Sequence, residues 1–360
     1  MNERYTIDGD SELELHLATI CDDVSLNLRT LFPARVLEGI VLGGGYGRGE
    51  GGVLRGHGRD QSYNDVEYFV FVSGSRILRQ RQYGTALDDL GHRLTEKHGI
   101  EIEFKLITHR ELRRSPRSMF YYDLISGHRL VFGDPSLFDG CDHHREGYLL
   151  PLHDGTRLLM NRSSGLLFSL ERLQRAEFTT EDADFVGRNI AKAQLALGDV
   201  ILTERGLYHW SCRTRHERLQ TVAQTAALTT ALDEHHARGV EFKLRPQRTT
   251  ASRKELLTLH ESVSEEAGKL FLRFESRRLR TVFHTVDDYL DSPLDKCPET
   301  HPLRNRLINA RQFGLRGLRN PRYPRQRLLH ALCELLWLPR NQLLDAARVE
   351  SYARLWSQFN

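Results

Sequence analysis

With 360 residues, 39% hydrophobic and 28% charged, the chain has the composition of a folded globular protein and not of a disordered or fibrous one. Its apolar runs fall short of the ~18–20 residues needed to cross a membrane, and Cys21, Cys141, Cys212, Cys297 and Cys333 are too scattered for a disulfide framework or a cysteine zinc site. The net charge of +3 conceals 44 arginines against seven lysines, a bias that a GC-rich genome explains better than nucleic-acid binding does.

The opening, MNERYTIDGDSELELHL, lacks the basic-then-apolar pattern of a signal peptide, so a cytoplasmic location is expected. Residues 11–32 place apolar side chains from Leu13 to Leu31 at helical spacing, and Pro33 stops the helix. RVLEGIVLG (35–43) reads as a strand that runs into GGGYGRGEGG, seven glycines in ten residues. Each glycine weakens a regular element, so such a cluster signals close approach of the backbone to something else. DVEYFVFV (65–72) is a second strand, with Val66, Tyr68 and Val70 on one face and Asp65, Glu67, Phe69 and Phe71 on the other. A helical pattern spans 76–98, IEIEFKLI (100–107) alternates as a third strand, and HRLVFGD (128–134) adds a further strand or edge segment.

Beyond about residue 150 helical periodicity takes over. In 182–203, Val186, Ile190, Ala193, Leu197 and Val200 form one apolar stripe, ended by Gly206. Further helices are expected near 156–174, 215–237, 254–291 and 325–357. Residues 243–255 read as a linker, and 292–324, with five prolines and two glycines, as irregular. The fold class expected is α+β: a mixed sheet with helices over 1–145, then an all-helical domain over 146–360 that subdivides near 243–255 and 292–324.

A strand feeding a glycine-rich turn exposes N–H groups that form an anion-binding concavity. Asp65 and Glu67, two apart on a strand, stand on one face about 7 Å apart at Cα. Their repulsion is relieved by a cation, and Mg²⁺ favours carboxylate together with phosphate oxygens. A third acid on a neighbouring strand would complete a two-metal site for in-line phosphoryl displacement, and IEIEF offers Glu101 and Glu103 on one face.

GGYGRGE (44–50) followed by an acid-x-acid strand resembles the nucleotidyltransferase superfamily to which DNA polymerase beta belongs. Its wording is similar to the loop of the bacterial uridylyltransferases that modify a nitrogen-regulatory signalling protein. The resemblance covers roughly residues 36–135 and implies the superfamily's mixed sheet. It implies that Gly44 and Gly45 meet a nucleoside triphosphate (NTP), ATP among the candidates, and that Asp65 and Glu67 bind Mg²⁺ or Mn²⁺. EFKLI (103–107) is similar to the strand bearing the third carboxylate, which points to Glu103 over Glu101. The implied reaction moves a nucleoside monophosphate from an NTP to a hydroxyl and releases pyrophosphate. Two departures are visible: the stretch 51–64 between loop and acids is longer than is typical of those uridylyltransferases, and Asn64 stands where the family often has Ser.

Arg48 sits where phosphate would arrive. Asp184, Arg188 and Lys192 share the helix face opposite the apolar stripe, and Lys192 matches the kind of basic residue that related enzymes place on the triphosphate. CDHHRE (141–146) reads as a loop turn and not as a metal site, Ser163-Ser164 lacks a nucleophile elbow, and His235-His236 reads as helix surface. Residues 301–333 hold eight arginines and no acid, which suits RNA, an acidic partner or a phosphorylated substrate, although Phe313 and Tyr323 alone make a poor stacking platform. The functional expectation is therefore a metal-dependent nucleotidyltransferase with an unknown acceptor and no membrane partner. The alternatives are a nucleotide-binding sensor without turnover and an RNA-binding scaffold that uses the arginine stretch.

Overall fold

The computed structural model describes residues 4–56, 58–225, 230–338 and 344–360. The chain mixes helices with a small sheet and divides into two compact units. The first holds Met1–Pro151 together with Arg205–Arg218 and Val240–Gln247; the second holds Leu152–Glu204, Leu219–Gly239 and Arg248–Asn360.

In the first unit, α1 (Ser11–Leu31) starts at Asp10, whose side chain accepts the backbone N–H of Leu13. β1 (Leu37–Leu42), the single turn α2 (Gly44–Gly47), the hairpin β2 (Val53–Arg55) and β3 (Asp60–Ser62), and β4 (Val66–Val72) follow. Then come α3 (Arg76–His98), β5 (Ile102–Ile107), α4 (His109–Arg114), α5 (Met119–Ser126) and β6 (Arg129–Gly133). The main sheet has the order β5-β4-β1-β6, with β1 antiparallel to both neighbours and β4 parallel to β5. A parallel pair needs a crossover, and α3 supplies it.

Period-2 alternation sorts the side chains between two layers. Ile40, Leu42, Tyr68, Val70 and Val72 pack with Leu17 and Leu28 of α1 and Leu90 of α3. Val41, Phe69 and Phe71 face the other way, onto Leu112, Leu124 and Ile125 of α4 and α5. Asp65 and Glu67 belong to this second face by the same alternation. The strands expected over 35–43, 65–72, 100–107 and 128–134 are present, whereas the β2–β3 hairpin and the helices α4 and α5 were not foreseen.

Helices α6 (Leu152–Leu173), α7 (Thr180–Glu204), α8 (Cys212–Thr225), α9 (Thr230–Leu244), α10 (Arg253–Arg278), α11 (Val286–Asp291), α12 (Pro302–Phe313), α13 (Arg325–Leu332) and α14 (Ala346–Phe359) complete the chain. Among its described residues the second unit has no strand. The stripe Val186, Ile190, Ala193, Leu197 and Val200 is buried against Leu159, Phe271, Phe274 and Leu328. The helices expected over 215–237 and 325–357 run through 226–229 and 339–343, which lie outside the described residues.

Two expectations are corrected. Residues 292–324 are not irregular throughout, because α12 forms with Pro302 at its first position, where the missing N–H costs nothing. His235 and His236 are buried and not on the surface: Gln194 Nε2 lies 3.0 Å from His235 Nδ1, and His236 Nε2 lies 3.2 Å from Asp199 Oδ1. Those partners satisfy the imidazoles, so the pair sits within the helical core.

Candidate active site

The parallel register sets Glu67 of β4 directly beside Glu103 of β5, and Asp65 immediately precedes β4 on the same face. One carboxylate oxygen from each of Asp65, Glu67 and Glu103 comes within 4.8 Å of the others. Glu101 is not in this group; it stands before β5, where its carbonyl accepts the N–H of Val66 at 2.8 Å. Surrounding protein, then the charges of Glu67 and Glu103, push the Asp65 carboxyl above the ordinary aspartate range. Asp65 is itself an exposed residue, so the two neighbouring carboxylates are the firmer cause. Three hard oxygen ligands this close fit Mg²⁺ or Mn²⁺ better than a thiophilic metal.

Lys105 answers part of that charge. It follows Glu103 by two residues on the same strand face, and its Nζ binds Glu67 and lies 3.3 Å from Glu103. Burial works against the ammonium, but the hydrogen bonds and charges of Glu67 and Glu103 outweigh it and hold Lys105 above the ordinary lysine range. An ammonium therefore rests where the acids call for a cation. Metal ligation by Glu67 would compete with the Lys105 ion pair for the same oxygens. Replacing Lys105 with Met is accordingly expected to tighten Mn²⁺ binding, by about tenfold if one charge-assisted hydrogen bond is displaced. Titration calorimetry checks this, and weaker binding would mean that Lys105 positions the carboxylates and does not compete for them.

The glycine loop is built to lie close to these acids. Gly44 has φ +62°, and a Cβ there would stand 3.2 Å from Glu67 Oε2. Gly51 leaves room for the Tyr46 ring, which a Cβ would strike at 2.0 Å. Tyr46 is buried, its hydroxyl donates to Gly52 O at 2.9 Å, and it accepts from Tyr63 N at 3.0 Å. That one phenol ties the loop to the segment leading into Asp65. Tyr46→Phe removes the tie and takes a hydrogen-bond donor from the buried Gly52 carbonyl, for an expected loss of about 1–3 kcal/mol. Urea unfolding reads it, and an unchanged midpoint would show that the phenol is dispensable.

Arg48 is occupied in bracing the loop. Its Nε donates to Gly44 O at 2.9 Å, its Nη1 donates to Trp210 O at 2.8 Å, and Asp123 Oδ2 lies 3.4 Å away. Glu50 is buried, accepting from Ser211 Oγ at 2.5 Å and from the Cys212 N–H at 2.9 Å, which caps the start of α8. Burial alone would raise the Glu50 carboxyl, but these bonds and Arg48 hold it below the ordinary glutamate range. Lys243 belongs to the same unit, with its carbonyl 3.2 Å from where a Gly52 Cβ would be. Burial and then the charge of Arg48 push its ammonium below the ordinary lysine range. Lys192 stands on α7 of the second unit, outside the unit that carries the acids.

The sequence patterns therefore reach Asp65, Glu67, Glu103, Gly44, Gly45 and Arg48, and the first unit holds all six. They missed Lys105, Tyr46 and Lys243. Period-2 alternation from Glu103 was enough to find Lys105; nothing local marks Lys243. A scan against family models gives no match for the chain, and no curated protein matches it.

Proposed function

We propose that the first unit is a metal-dependent nucleotidyltransferase that moves a nucleoside monophosphate from an NTP to a hydroxyl acceptor. The observation that carries this reading is the group Asp65, Glu67 and Glu103 set within 4.8 Å across two parallel strands, with a glycine turn against Glu67. Asp65, Glu67 and Glu103 would hold Mg²⁺ or Mn²⁺, which when bound neutralises triphosphate charge and acidifies a hydroxyl.

The residues themselves do the following in this reading. The Gly44–Gly45 turn offers backbone N–H groups to phosphate oxygens. Arg48, which braces the loop, and Lys243, whose backbone borders Gly52, bring positive charge to the loop that would receive the phosphates. Glu103, its side chain 42% exposed, is open to an incoming hydroxyl and takes up its proton. The hydroxyl oxygen attacks the α-phosphorus, the bond from that phosphorus to the bridging oxygen breaks, and its electron pair leaves with pyrophosphate.

One observation favours a second reading, a nucleotide-binding sensor without turnover: the Lys105 ammonium already engages Glu67 and Glu103. The two readings separate in one assay. Wild-type protein is incubated with each α-labelled NTP, Mn²⁺ and a panel of hydroxyl acceptors, and label transfer and pyrophosphate are followed. The transferase reading predicts release of pyrophosphate that stops on chelation. Metal-dependent NTP binding without release would establish the sensor, and absence of NTP binding would refute both.

A further inference from the structure

The arginine stretch of the second unit folds into a concave site. Helix α12 and the loop after it are latched together: the buried Asn305 donates to Pro321 O at 2.9 Å, and the buried Asn309 donates to Asn320 O at 3.1 Å and to Arg322 O at 2.8 Å. Gly317 permits that closeness, since a Cβ there would lie 2.2 Å from Asn309 O. The loop and α13 form an open concavity of about 540 Å³ whose lining includes Arg316, Arg319, Arg322, Arg327, His330 and one aromatic ring, that of Tyr323.

None of the four guanidiniums has a carboxylate within salt-bridge distance among the described residues. Two are held in place: Arg322 donates to Pro293 O, and Arg327 lies 4.0 Å from the centroid of the Phe313 ring. His330 Nε2 is buried without a hydrogen-bond partner. Burial and then the charge of Lys296 keep the His330 ring below the ordinary histidine range, so it adds no further charge to the arginines. Four positive charges around one cavity repel one another, and the groups suited to satisfying them are the oxygens of a multiply charged anion.

We propose that this cavity binds a small ligand carrying a polyphosphate, at a site separate in the chain from the carboxylate group of the first unit. A cavity of about 540 Å³ lies within the range of small-molecule sites. Scarce aromatic residues and a concave outline favour such a ligand over a nucleic-acid strand, which needs an extended track with stacking platforms.

The test uses the full chain with EDTA present, which silences any metal-dependent site, and inorganic tripolyphosphate as the probe in titration calorimetry at physiological salt. Arg316 and Arg319 are exposed, so R316Q/R319Q leaves the core intact; it is expected to weaken tripolyphosphate by about tenfold or more, the loss of at least one charge-assisted contact. R304Q/R306Q removes the same charge from exposed positions of the stretch outside the cavity and is expected to change affinity by less than about twofold, a screened long-range effect. Gly317→Ala keeps every arginine but displaces the loop, and should weaken binding as R316Q/R319Q does. Equal losses in the two double variants would replace the site with diffuse charge attraction. Failure of tripolyphosphate to bind wild-type protein overturns the proposal, as does tight binding of a single-stranded RNA that tripolyphosphate cannot displace.

Discussion

If the proposed transferase reading holds, Asp65→Asn is expected to bring nucleotidyl transfer below about a hundredth of the wild-type rate, because it neutralises one of the three carboxylates that would hold the metal. The same change should leave the unfolding midpoint at neutral pH unchanged or raised. In the folded chain the Asp65 carboxyl is held above its ordinary range by its surroundings and by Glu67 and Glu103. An acid raised in this way lends its full stability below its unfolded pKa, about 3.9, and that contribution is lost as pH rises through the folded value. At neutral pH the ionised Asp65 therefore works against the fold, and an amide relieves the repulsion. The same shift fixes the pH dependence of the wild type: Mn²⁺ affinity should weaken as pH falls from neutral through the raised pKa, as protons compete for the ligand. An Asp65→Asn protein that unfolds much earlier than wild type would show that the aspartate is structural. Residual transfer above about a hundredth would remove it from the metal set.

The largest expected stability effect lies in the second unit. Glu275 is fully buried; it accepts from Thr156 Oγ1 at 2.5 Å and Tyr289 Oη at 3.2 Å, and from Arg278 through Nε at 2.8 Å and Nη2 at 2.6 Å. These bonds join α6, α10 and α11. Burial opposes the Arg278 charge, but Glu275 outweighs it and holds the guanidinium firmly protonated. Glu275→Ala strips that guanidinium, 6% exposed, of its two direct carboxylate bonds and leaves it the longer contact to Glu299 at 3.8 Å, for an expected loss of about 3 kcal/mol, the low end for a broken buried pair. Glu275→Gln keeps the shape and some hydrogen bonds and should fall between wild type and the alanine variant. Urea unfolding followed by tryptophan fluorescence measures both. A loss below about 1 kcal/mol for the alanine variant would place the pair among weak surface bridges.

Much of this was legible in the sequence for identifiable physical reasons. Period-2 geometry over 65–72 sets Asp65 and Glu67 with Phe69 and Phe71, opposite Val66, Tyr68 and Val70, so the two acids could be assigned a common face from the sequence. The stripe on α7 did the same for the helical core. What escaped was set by tertiary contact or by misleading local composition. Prolines suggested an irregular 292–324, yet Pro302 opens α12. His235 and His236 are polar in isolation and buried only because Gln194 and Asp199 of α7 meet them. Strand alternation alone left Glu101 and Glu103 on one face; the EFKLI resemblance pointed to Glu103, and the β4–β5 register sets that residue beside Glu67. Lys243 lies far along the chain from the loop it borders, and only folding brings the two together.

The most direct measurement is thermal unfolding of the wild-type chain with each of the four NTPs, with and without Mg²⁺ or Mn²⁺. A ligand at about 100 times its Kd stabilises the native state by about 2.7 kcal/mol, a readily measured shift. At least one NTP is expected to raise the midpoint when metal is present, and the shift to disappear on chelation, if loop and carboxylates bind the nucleotide jointly. No shift with any NTP under either metal would contradict joint binding, and the group Asp65, Glu67 and Glu103 would then be an ion-pair cluster centred on Lys105.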